Sequence, residues 1–316
     1  MLRMNELEEN KIMVNKIKKF MIDPKARFNY LEGHGFYRLM DDKRFLKRKW
    51  KIMMGSKLNL DNPRTFNEKL QWLKLYDRKD IYTKMVDKYE AKKYVADIIG
   101  KGYIIPTIGI YDKFDDINFS ELPNQFVIKC THNSGGLVIV KDKKKLDIKE
   151  VKRKINRSLK RKYYYHGREW PYKNVKPRII IEKYMEDEND GELRDYKLFC
   201  FNGRFEIMFI ATNRHGDGDT YFDFFDRSFK HLPFTNGHPN APRVPHKPQN
   251  FNKMIKLAER LSKNIPQVRV DFYDVDGKIY FGEMTFSHWS GMMPFDPEEW
   301  DEKLGDLIDL DLAREK

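Results

Sequence analysis

Two acidic residues late in the chain have a spacing that suits a metal site. Asp271 and Glu283 lie on either side of Asp276-Gly277, a dipeptide typical of a tight β-hairpin turn. Residues an even number apart in strands share a face, so we expect both carboxylates on one side of the hairpin. Two carboxylates together with nucleotide phosphates are a usual way of holding Mg²⁺. A surface hairpin with solvated acids is the alternative, but Arg269 favours the metal site because it could stabilise charge developing there.

A lysine followed by adjacent glycines forms a second candidate segment. Lys129 lies inside the apolar run 126–130, where an unpaired buried charge would be costly. Ser134, Gly135 and Gly136 follow, and adjacent glycines let backbone N–H groups approach a phosphate closely. An ordinary Gly-Gly hairpin with an edge lysine stays open as the alternative. The segment is not the GxxxxGK[ST] phosphate loop, so that mechanism does not apply.

Composition narrows the class of protein. The chain has 316 residues, of which 40% are hydrophobic, and this is ample for a substantial core. No run approaches 18 apolar residues and the first residues are charged, so we expect a cytoplasmic protein without a membrane span. Cys130 and Cys200 each lie in an apolar run, which favours two buried thiols over a disulfide or a metal site.

The net charge of +13 is compatible with several kinds of partner. Nucleic acid, a nucleotide with a polyanionic substrate, and an anionic membrane surface would each suit such a charge. Charge alone therefore does not choose among them.

Helical patterns flank a region of short strands. Residues Ile12 to Met21 have one apolar face, and the capping-box pair Thr65 and Glu68 predicts a helix from about Phe66. Further helices are predicted over 81–99, over 147–159 with Ile148 on the buried face, and around 254–261. The predicted strands are 126–130, 137–140, 179–184, 196–201, 205–212, 268–273 and 278–284. Antiparallel hairpins at Asn202-Gly203 and Asp276-Gly277 among these helices predict an α+β architecture.

Several short motifs follow one another along the chain. They are the run NEKLQWLKLYD at 67–77, Asp87-Lys88-Tyr89, Lys129 with Ser134-Gly135-Gly136, the run PRIIIEKY at 177–184, Asp195-Tyr196-Lys197, and Arg269-Val270-Asp271 with the run GEMTF at 282–286. In order and spacing, these motifs resemble the TupA-like branch of the ATP-grasp superfamily, which occurs in bacterial surface-polysaccharide gene clusters. The resemblance covers roughly Asn62 to Leu310.

The resemblance implies an ATP-grasp fold, in which two α+β lobes clasp ATP. A mainly helical region, 1–80, would precede an ATP-grasp domain, 81–316. Within that domain, about 103–185 would form the smaller lobe covering the nucleotide, and 186–316 the lobe that binds metal. The residues before the ATP-grasp domain do not look like the Rossmann-type domain common in the superfamily. Since that domain often helps to bind the acceptor, the identity of the acceptor substrate is left open.

The resemblance also implies roles for the nucleotide-binding residues. Lys88 and Lys129 would contact ATP phosphates, and Ser134, Gly135 and Gly136 would form a mobile loop over them. Glu182, Lys183 and Met185 would belong to the hinge facing adenine. Asp195 would lie near the ribose, and Lys197 would reach towards phosphate or substrate.

The implied metal and catalytic residues lie near the C-terminal hairpin. Asp271 and Glu283 would bind Mg²⁺, and Thr285 stands where many ATP-grasp enzymes have an Asn that ligates metal. Arg269 and the backbone of Gly291 look like the groups that steady a tetrahedral oxyanion in the ligases of this superfamily. His132 and His288 are further candidates because they lie beside the glycine loop and the hairpin.

A basic stretch from Lys141 to Lys183 suggests a substrate surface. It carries three lysine and arginine clusters followed by Tyr163, Tyr164, Tyr165, Trp170 and Tyr172. We interpret it as a platform for an anionic glycan or a lipid-linked intermediate, with a solvated helix face as the alternative. Peripheral contact of the protein with the anionic inner face of a membrane is also compatible with this charge.

The leading hypothesis is an ATP- and Mg²⁺-dependent carboxylate–amine ligase of cell-envelope polysaccharide synthesis. It would activate a uronic acid or similar carboxylate of a glycan for attack by an amine such as an amino acid. The first alternative is a kinase that phosphorylates a sugar or glycan hydroxyl. A glycosyltransferase would need an acidic metal motif such as Asp217-Gly218-Asp219, which looks like a turn. A non-catalytic RNA-binding protein is the remaining and least favoured alternative.

Overall fold

The computed structural model describes residues 20–187, 193–213 and 218–314. Of the predicted helical face from Ile12 to Met21, the part before residue 20 lies outside these ranges, as does Asp217 of the acidic motif. In chain order the described helices are α1 (Pro24–Gly33), α2 (Asp42–Met54), α3 (Phe66–Tyr76), α4 (Ile81–Val86), α5 (Glu90–Ile99), α6 (Ile148–Leu159), α7 (Tyr164–Gly167), α8 (Phe251–Leu261) and α9 (Glu299–Asp306).

Described strands form two larger sheets and one short pair. They are β1 (Thr107–Tyr111), β2 (Phe126–Cys130), β3 (Leu137–Val140), β4 (Ile179–Lys183), β5 (Asp195–Phe201), β6 (Arg204–Thr212), β7 (Tyr221–Asp226), β8 (Thr235–Asn236), β9 (Gln267–Val275), β10 (Lys278–Thr285) and β11 (Phe295–Asp296). One sheet has the order β1-β4-β2-β3, another the order β10-β9-β5-β6-β7, and β11 pairs with β8. The described pairings are antiparallel, so the predicted α+β class is confirmed.

Local signals located several elements correctly. The Thr65 side chain accepts a hydrogen bond from the Glu68 N–H, and α3 begins at Phe66 as the capping box predicts. Asn202-Gly203 and Asp276-Gly277 have positive φ at all four positions, which the right-handed twist of hairpin strands favours. The predicted strands at 126–130 and 137–140 have the bounds of β2 and β3.

Two helix predictions were wrong in detail. The pattern over 81–99 forms α4 and α5, because Asp87 has extended backbone and its carboxylate accepts from the Tyr89 and Glu90 N–H groups. Ile148 is exposed because, as the first residue of α6, it lies off the face that Val151 and Ile155 bury.

The five-stranded sheet is covered on both faces. Leu198 and Cys200 of β5 pack in one hydrophobic cluster with α5 and α8. Phe199 and Phe201 pack in a second cluster, which includes buried residues of α2, α3 and α9. Because side chains alternate along a strand, Asp195 and Lys197 share the face of Phe199 and Phe201. The N-terminal helices therefore support the same face of the sheet that carries candidate site residues, while the division at residue 80 stays a prediction.

The small four-stranded sheet has a core of its own, built from Phe126, Ile128 and residues of β4 and α6. Cys130 and Cys200 are both buried free thiols, as predicted. In the described ranges no helix is long and apolar enough to cross a lipid bilayer.

Candidate functional site

A cavity of about 220 Å³ brings together most of the predicted site residues. We call it the lysine cavity, because four lysines line it, drawn from both sheets, from α5 and from the turn that precedes α5. The predicted residues that line it are Lys88, Lys129, Ser134, Gly135, Gly136, Glu182, Asp195, Lys197, Asp271 and Glu283.

A second cavity of about 440 Å³ adjoins the lysine cavity, and we call it the side cavity. Lys183 and Met185, predicted for the hinge, line it together with apolar residues that include Val127, Leu137, Ile139 and Tyr273. Lys129, Leu137, Glu182 and Tyr273 line both cavities. The two cavities therefore share a wall, and one has a lysine-rich lining while the other is more apolar.

Lys129 is placed in the site by the alternation of β2. Phe126, Ile128 and Cys130 are buried in the small lobe, so Lys129 faces the opposite side. Its Nζ lies 2.6 Å from Glu182 Oε2, and Lys92 Nζ lies 2.6 Å from Glu182 Oε1. Burial opposes ionisation of Glu182, but Lys129 and Lys92 outweigh it and lower the pKa of this carboxyl. The Glu182 side chain thus fixes two ammonium groups at the rim of the site.

Lys92 is a site residue that the sequence interpretation missed. It lies in the first turns of α5, four residues after Lys88, and both line the lysine cavity. Burial lowers the pKa of both lysines. Lys88 precedes α5, which begins at Glu90, so the four-residue spacing is not a helical pair and gave no signal in the sequence.

The loop between β2 and β3 has a shape fixed by its neighbours. Lys88 Nζ donates to the Asn133 carbonyl at 2.7 Å, and Ser158 Oγ donates to Asn133 Oδ1 at 3.0 Å. A Cβ at Gly136 would lie 2.2 Å from Ser158 Oγ, so only glycine fits there. His132 is buried with Nε2 at 3.0 Å from the Arg161 carbonyl, so it anchors the loop.

The two carboxylates of the hairpin converge because of a β-bulge. A two-residue turn at Asp276-Gly277 pairs Phe272 with Phe281, so a regular ladder would pair Asp271 with Gly282. A register shift between Phe281 and Glu283 instead sets Glu283 opposite Asp271. The convergence was predicted, but the parity argument for it was wrong, since without the bulge Glu283 would face the other side.

Arg269 lies directly behind these carboxylates. Its Nε donates to Asp271 Oδ1 at 2.7 Å and its Nη2 donates to Asp271 Oδ2 at 2.7 Å. Nη2 also donates to Thr285 Oγ1 at 3.0 Å and lies 3.3 Å from Glu283 Oε1. Neither Arg269 nor Thr285 is among the described residues that line the lysine cavity. Their predicted catalytic and metal-binding roles stay predictions.

Asp271 is ionised although it is buried. Burial alone would raise its pKa, but Arg269 and Lys197 together lower the pKa to about 2. His288 on the far side of Arg269 is neutral, because burial and the neighbouring Arg269 lower its pKa. Its Nδ1 accepts from Arg269 Nη1 at 2.8 Å and its Nε2–H donates to Asn236 at 3.1 Å. His288 therefore orients Arg269.

The turn that contains Gly291 is held by α3. Trp289, Ser290 and Gly291 have φ of 48°, 55° and 59°, a left-handed conformation that costs energy in the two non-glycine residues. Gln71 Nε2 donates to the Ser290 and Gly291 carbonyls at 3.1 and 2.7 Å. Lys74 Nζ donates to the Ser290 carbonyl at 2.7 Å. Gly291 is outside the described lining of the lysine cavity.

A third residue of α3 extends this contact, since Asn67 Nδ2 donates to the Met293 carbonyl at 3.0 Å. We call Asn67, Gln71 and Lys74 the α3 clamp. All three are buried, and burial lowers the pKa of Lys74 to about 7. The sequence interpretation missed the clamp, although its i, i+4, i+7 spacing puts the three on one helix face.

Two antiparallel sheets that close on a lysine-rich cavity, with an acidic hairpin on one wall, form an ATP-grasp fold. The model of the TupA-like ATP-grasp family matches residues 68–309. The chain therefore belongs to the TupA-like ATP-grasp family. A comparison with curated proteins finds no match.

Solved structures with a similar fold include D-alanine–D-alanine ligases. The enzyme from Bacillus anthracis complexed with ATP is 18% identical with a TM-score of 0.41, covering 73% of this chain and 67% of that one. The Helicobacter pylori enzyme is 15% identical with a TM-score of 0.42, covering 79% and 68%. The ATP-grasp ligase PsnB complexed with minimal precursor, Mg and ADP is 7% identical with a TM-score of 0.38, covering 70% and 58%.

Proposed function

We propose that the protein is an ATP-dependent ligase that activates a carboxylate as an acyl phosphate and transfers the acyl group to an amine. The observation that carries the proposal is the meeting of four lysines with four carboxylates around one cavity, two of the carboxylates lying on the C-terminal hairpin. These residues are Lys88, Lys92, Lys129, Lys197, Glu182, Asp195, Asp271 and Glu283. The set suits a nucleoside triphosphate and its divalent cation, because the ammonium groups would neutralise phosphate oxygens.

The side cavity suits the base of the nucleotide. Val127, Leu137, Ile139 and Met185 give it apolar walls, and it shares Lys129 with the lysine cavity. A ligand with an aromatic ring and a polyanionic tail would therefore lie across both cavities. ATP has this form.

Asp271 and Glu283 fit Mg²⁺ by the chemistry of their donors, since this cation prefers oxygen ligands from one or two carboxylates plus phosphates. Glu283 is the accessible one, with 42% of its side chain exposed. The Asp271 oxygens accept from Arg269 and Lys197, which leaves a lone pair for a metal. Asp271 and Glu283 would hold the ion beside the phosphates, and when bound it would supply positive charge that offsets the charge developing in phosphoryl transfer.

In the proposed reaction, a carboxylate oxygen of the acceptor attacks the terminal phosphorus of ATP. The bond from that phosphorus to the bridging oxygen breaks, and ADP leaves with the electron pair. The amine nitrogen then attacks the carbonyl carbon, loses a proton, and inorganic phosphate leaves the tetrahedral intermediate. Lys88, Lys129 and Lys197 would stabilise the phosphoryl charge, and Arg269 would stabilise the oxyanion.

We further propose that the acceptor is a uronic acid or similar carboxylate of a surface glycan, with an amino acid as the amine. The resemblance of the motifs to proteins of polysaccharide gene clusters supports this choice. The basic stretch from Lys141 to Lys183 supports it as well, because the residues just after α6 lie beside the glycine loop. Arg161 Nη1 would lie 3.5 Å from a Cβ at Gly135, and Ser134 Oγ lies 3.5 Å from the Tyr163 hydroxyl.

Phosphoryl transfer to a glycan hydroxyl is the second candidate, and one observation favours it. The Gly291 carbonyl is bound to Gln71, and Gly291 is outside the described lining of the lysine cavity. An oxyanion site would need the Gly291 N–H beside Arg269, whereas a kinase needs no such pair.

Hydroxylamine trapping separates the two reactions. With ATP, Mg²⁺ and a uronate-containing oligosaccharide, a ligase should give a hydroxamate together with ADP, because hydroxylamine attacks an acyl phosphate. Glu283→Gln should abolish both products, while Glu299→Gln on the exposed surface of α9 serves as the matched control. Stable phosphorylated glycan without hydroxamate would establish the kinase instead. AMP with pyrophosphate would contradict both.

A further inference from the structure

The turn between α1 and α2 presents two large apolar side chains to solvent. Phe36 is 71% exposed and Leu39 is 101% exposed. Single exposed apolar residues are ordinary on protein surfaces, so these two matter only through their setting.

A buried arginine holds this turn in place. Arg168 is 1% exposed, and its Nη2 donates to the carbonyls of Tyr37 and Met40, which bracket Leu39. Its guanidinium also lies 4.5 Å from the centre of the Phe45 ring, and Tyr37 stacks on Phe28 at 4.7 Å. Because the backbone on both sides of Leu39 is fixed, the outward direction of its side chain belongs to the folded structure and is not the result of a loose loop.

The neighbouring helix α2 bears a basic stripe, which we define as Lys43, Arg44, Lys47, Arg48 and Lys51. All five are exposed. They lie opposite the buried face, which carries Phe45, Leu46 and Trp50. Between residues 20 and 57 there are ten Lys and Arg but only four Asp and Glu, so the stripe has little local acid to neutralise it.

We propose that the Phe36–Leu39 turn and the basic stripe together form a docking surface for an anionic lipid bilayer. Basic residues near such a membrane are attracted by its surface potential, and apolar side chains beside them gain by entering the acyl region. A nucleic acid would use the stripe but would give Leu39 no apolar environment. The combination therefore favours lipid. The proposal uses none of the residues of the ATP site and does not depend on the reaction.

The position of this surface fits a lipid-linked acceptor. The Arg38 guanidinium lies 5.8 Å from the centre of the Tyr165 ring, in the segment that follows α6. Arg168 is two residues from His166, and His166 Nε2 lies 3.2 Å from Arg161 Nη2. The docking surface is thus continuous with the part of the basic stretch that lies beside the glycine loop.

Vesicle co-sedimentation of the full chain tests the proposal. The chain should sediment with phosphatidylcholine vesicles that contain phosphatidylglycerol, but not with phosphatidylcholine alone, and added salt should weaken the binding. Lys43→Glu with Lys47→Glu should lower the vesicle affinity by roughly tenfold or more. Lys256→Glu with Lys263→Glu changes the net charge equally at exposed positions elsewhere, and it should retain most of the affinity.

The apolar part has its own pair of variants. Phe36→Ser with Leu39→Ser should lower the vesicle affinity severalfold, and Ile108→Ser with Val244→Ser, at exposed sites outside both the docking surface and the basic stretch, should not. Unchanged thermal unfolding would show that each variant folds. Equal binding by all variants would overturn the proposal. The proposal would also be overturned if Lys43→Glu with Lys47→Glu lost vesicle binding but Phe36→Ser with Leu39→Ser did not. The surface would then be a general site for polyanions.

Discussion

Lys197 and Asp271 lie directly opposite each other on β5 and β9, and Lys197 Nζ donates to Asp271 Oδ2 at 2.6 Å. Both side chains are buried on the sheet face whose continuation carries Phe199 and Phe201. The pair thus connects the proposed catalytic cations to the proposed metal ligand. For Lys197 to reach a phosphate, it would have to leave Asp271, and a metal ion at Asp271 would favour that exchange because it replaces the positive charge.

The free energy of unfolding should fall in acid because of Asp271. Its pKa falls from 3.8 to about 2 on folding, so it contributes roughly 2 kcal/mol of stability above pH 4. This contribution is lost as the pH falls from about 4 towards 2. The difference in unfolding free energy between wild type and Asp271→Asn should therefore be constant from pH 7 to about 4.5 and shrink below that. Urea unfolding at several pH values measures it, and a difference independent of pH down to 3 would contradict the assignment.

Nucleotide binding should depend on Lys92, which the structure adds to the predicted set. Mg-ATP at millimolar concentration should raise the melting temperature, because a ligand that binds only the native state stabilises it. Lys92→Met should weaken ATP binding by about tenfold to a hundredfold, as expected for the loss of a charged contact. Lys93→Met is the matched control, since its side chain is 80% exposed on the same helix. Equal shifts in the two variants would exclude Lys92 from the site.

The metal requirement should depend on Glu283 more than on fold stability. The side chain is 42% exposed, so Glu283→Gln should change the unfolding free energy by less than about 1 kcal/mol. The same variant should need more Mg²⁺ for the ATP-induced rise in melting temperature, because it removes a charged ligand. Titration of Mg²⁺ at fixed ATP measures this directly. An unchanged Mg²⁺ midpoint would mean that the hairpin is structural.

Much of the fold follows from local sequence signals. Cap residues, turn dipeptides and apolar alternation predicted α3, β2, β3 and both hairpins, because these elements are specified by residues close in the chain. The bulge at Gly282 was not predicted, since it depends on how β10 fits its neighbour and not on parity. A Cβ at Gly282 would lie 3.1 Å from the Asp271 carbonyl oxygen, a constraint visible only in the folded chain.

Sequence motifs predicted many of the residues that line the candidate site. Residues that are held in place by long-range contacts were not predicted. Lys92 and Gln71 lie on helices, where polar residues are usually solvated. Lys92 has its carboxylate partner on β4, and the carbonyl partners of Gln71 lie more than 200 residues away. No pattern in the sequence reports such a partner.

The α3 clamp gives the last prediction. Two non-glycine residues in left-handed conformation cost roughly 1–2 kcal/mol each, and the hydrogen bonds from Gln71 and Lys74 offset a similar amount. Gln71→Met and Lys74→Met preserve side-chain length but remove these donors. Amide hydrogen exchange in the 287–293 segment should therefore become roughly tenfold faster, while Mg-ATP still raises the melting temperature, since the clamp is outside the described lining of the ATP cavities. Lys69→Met is the control, because Lys69 is on the same helix but donates to the Ile308 carbonyl. If Gln71→Met and Lys74→Met leave exchange at 287–293 as slow as in the Lys69→Met control, the turn is held by its own backbone and α3 has no positioning role.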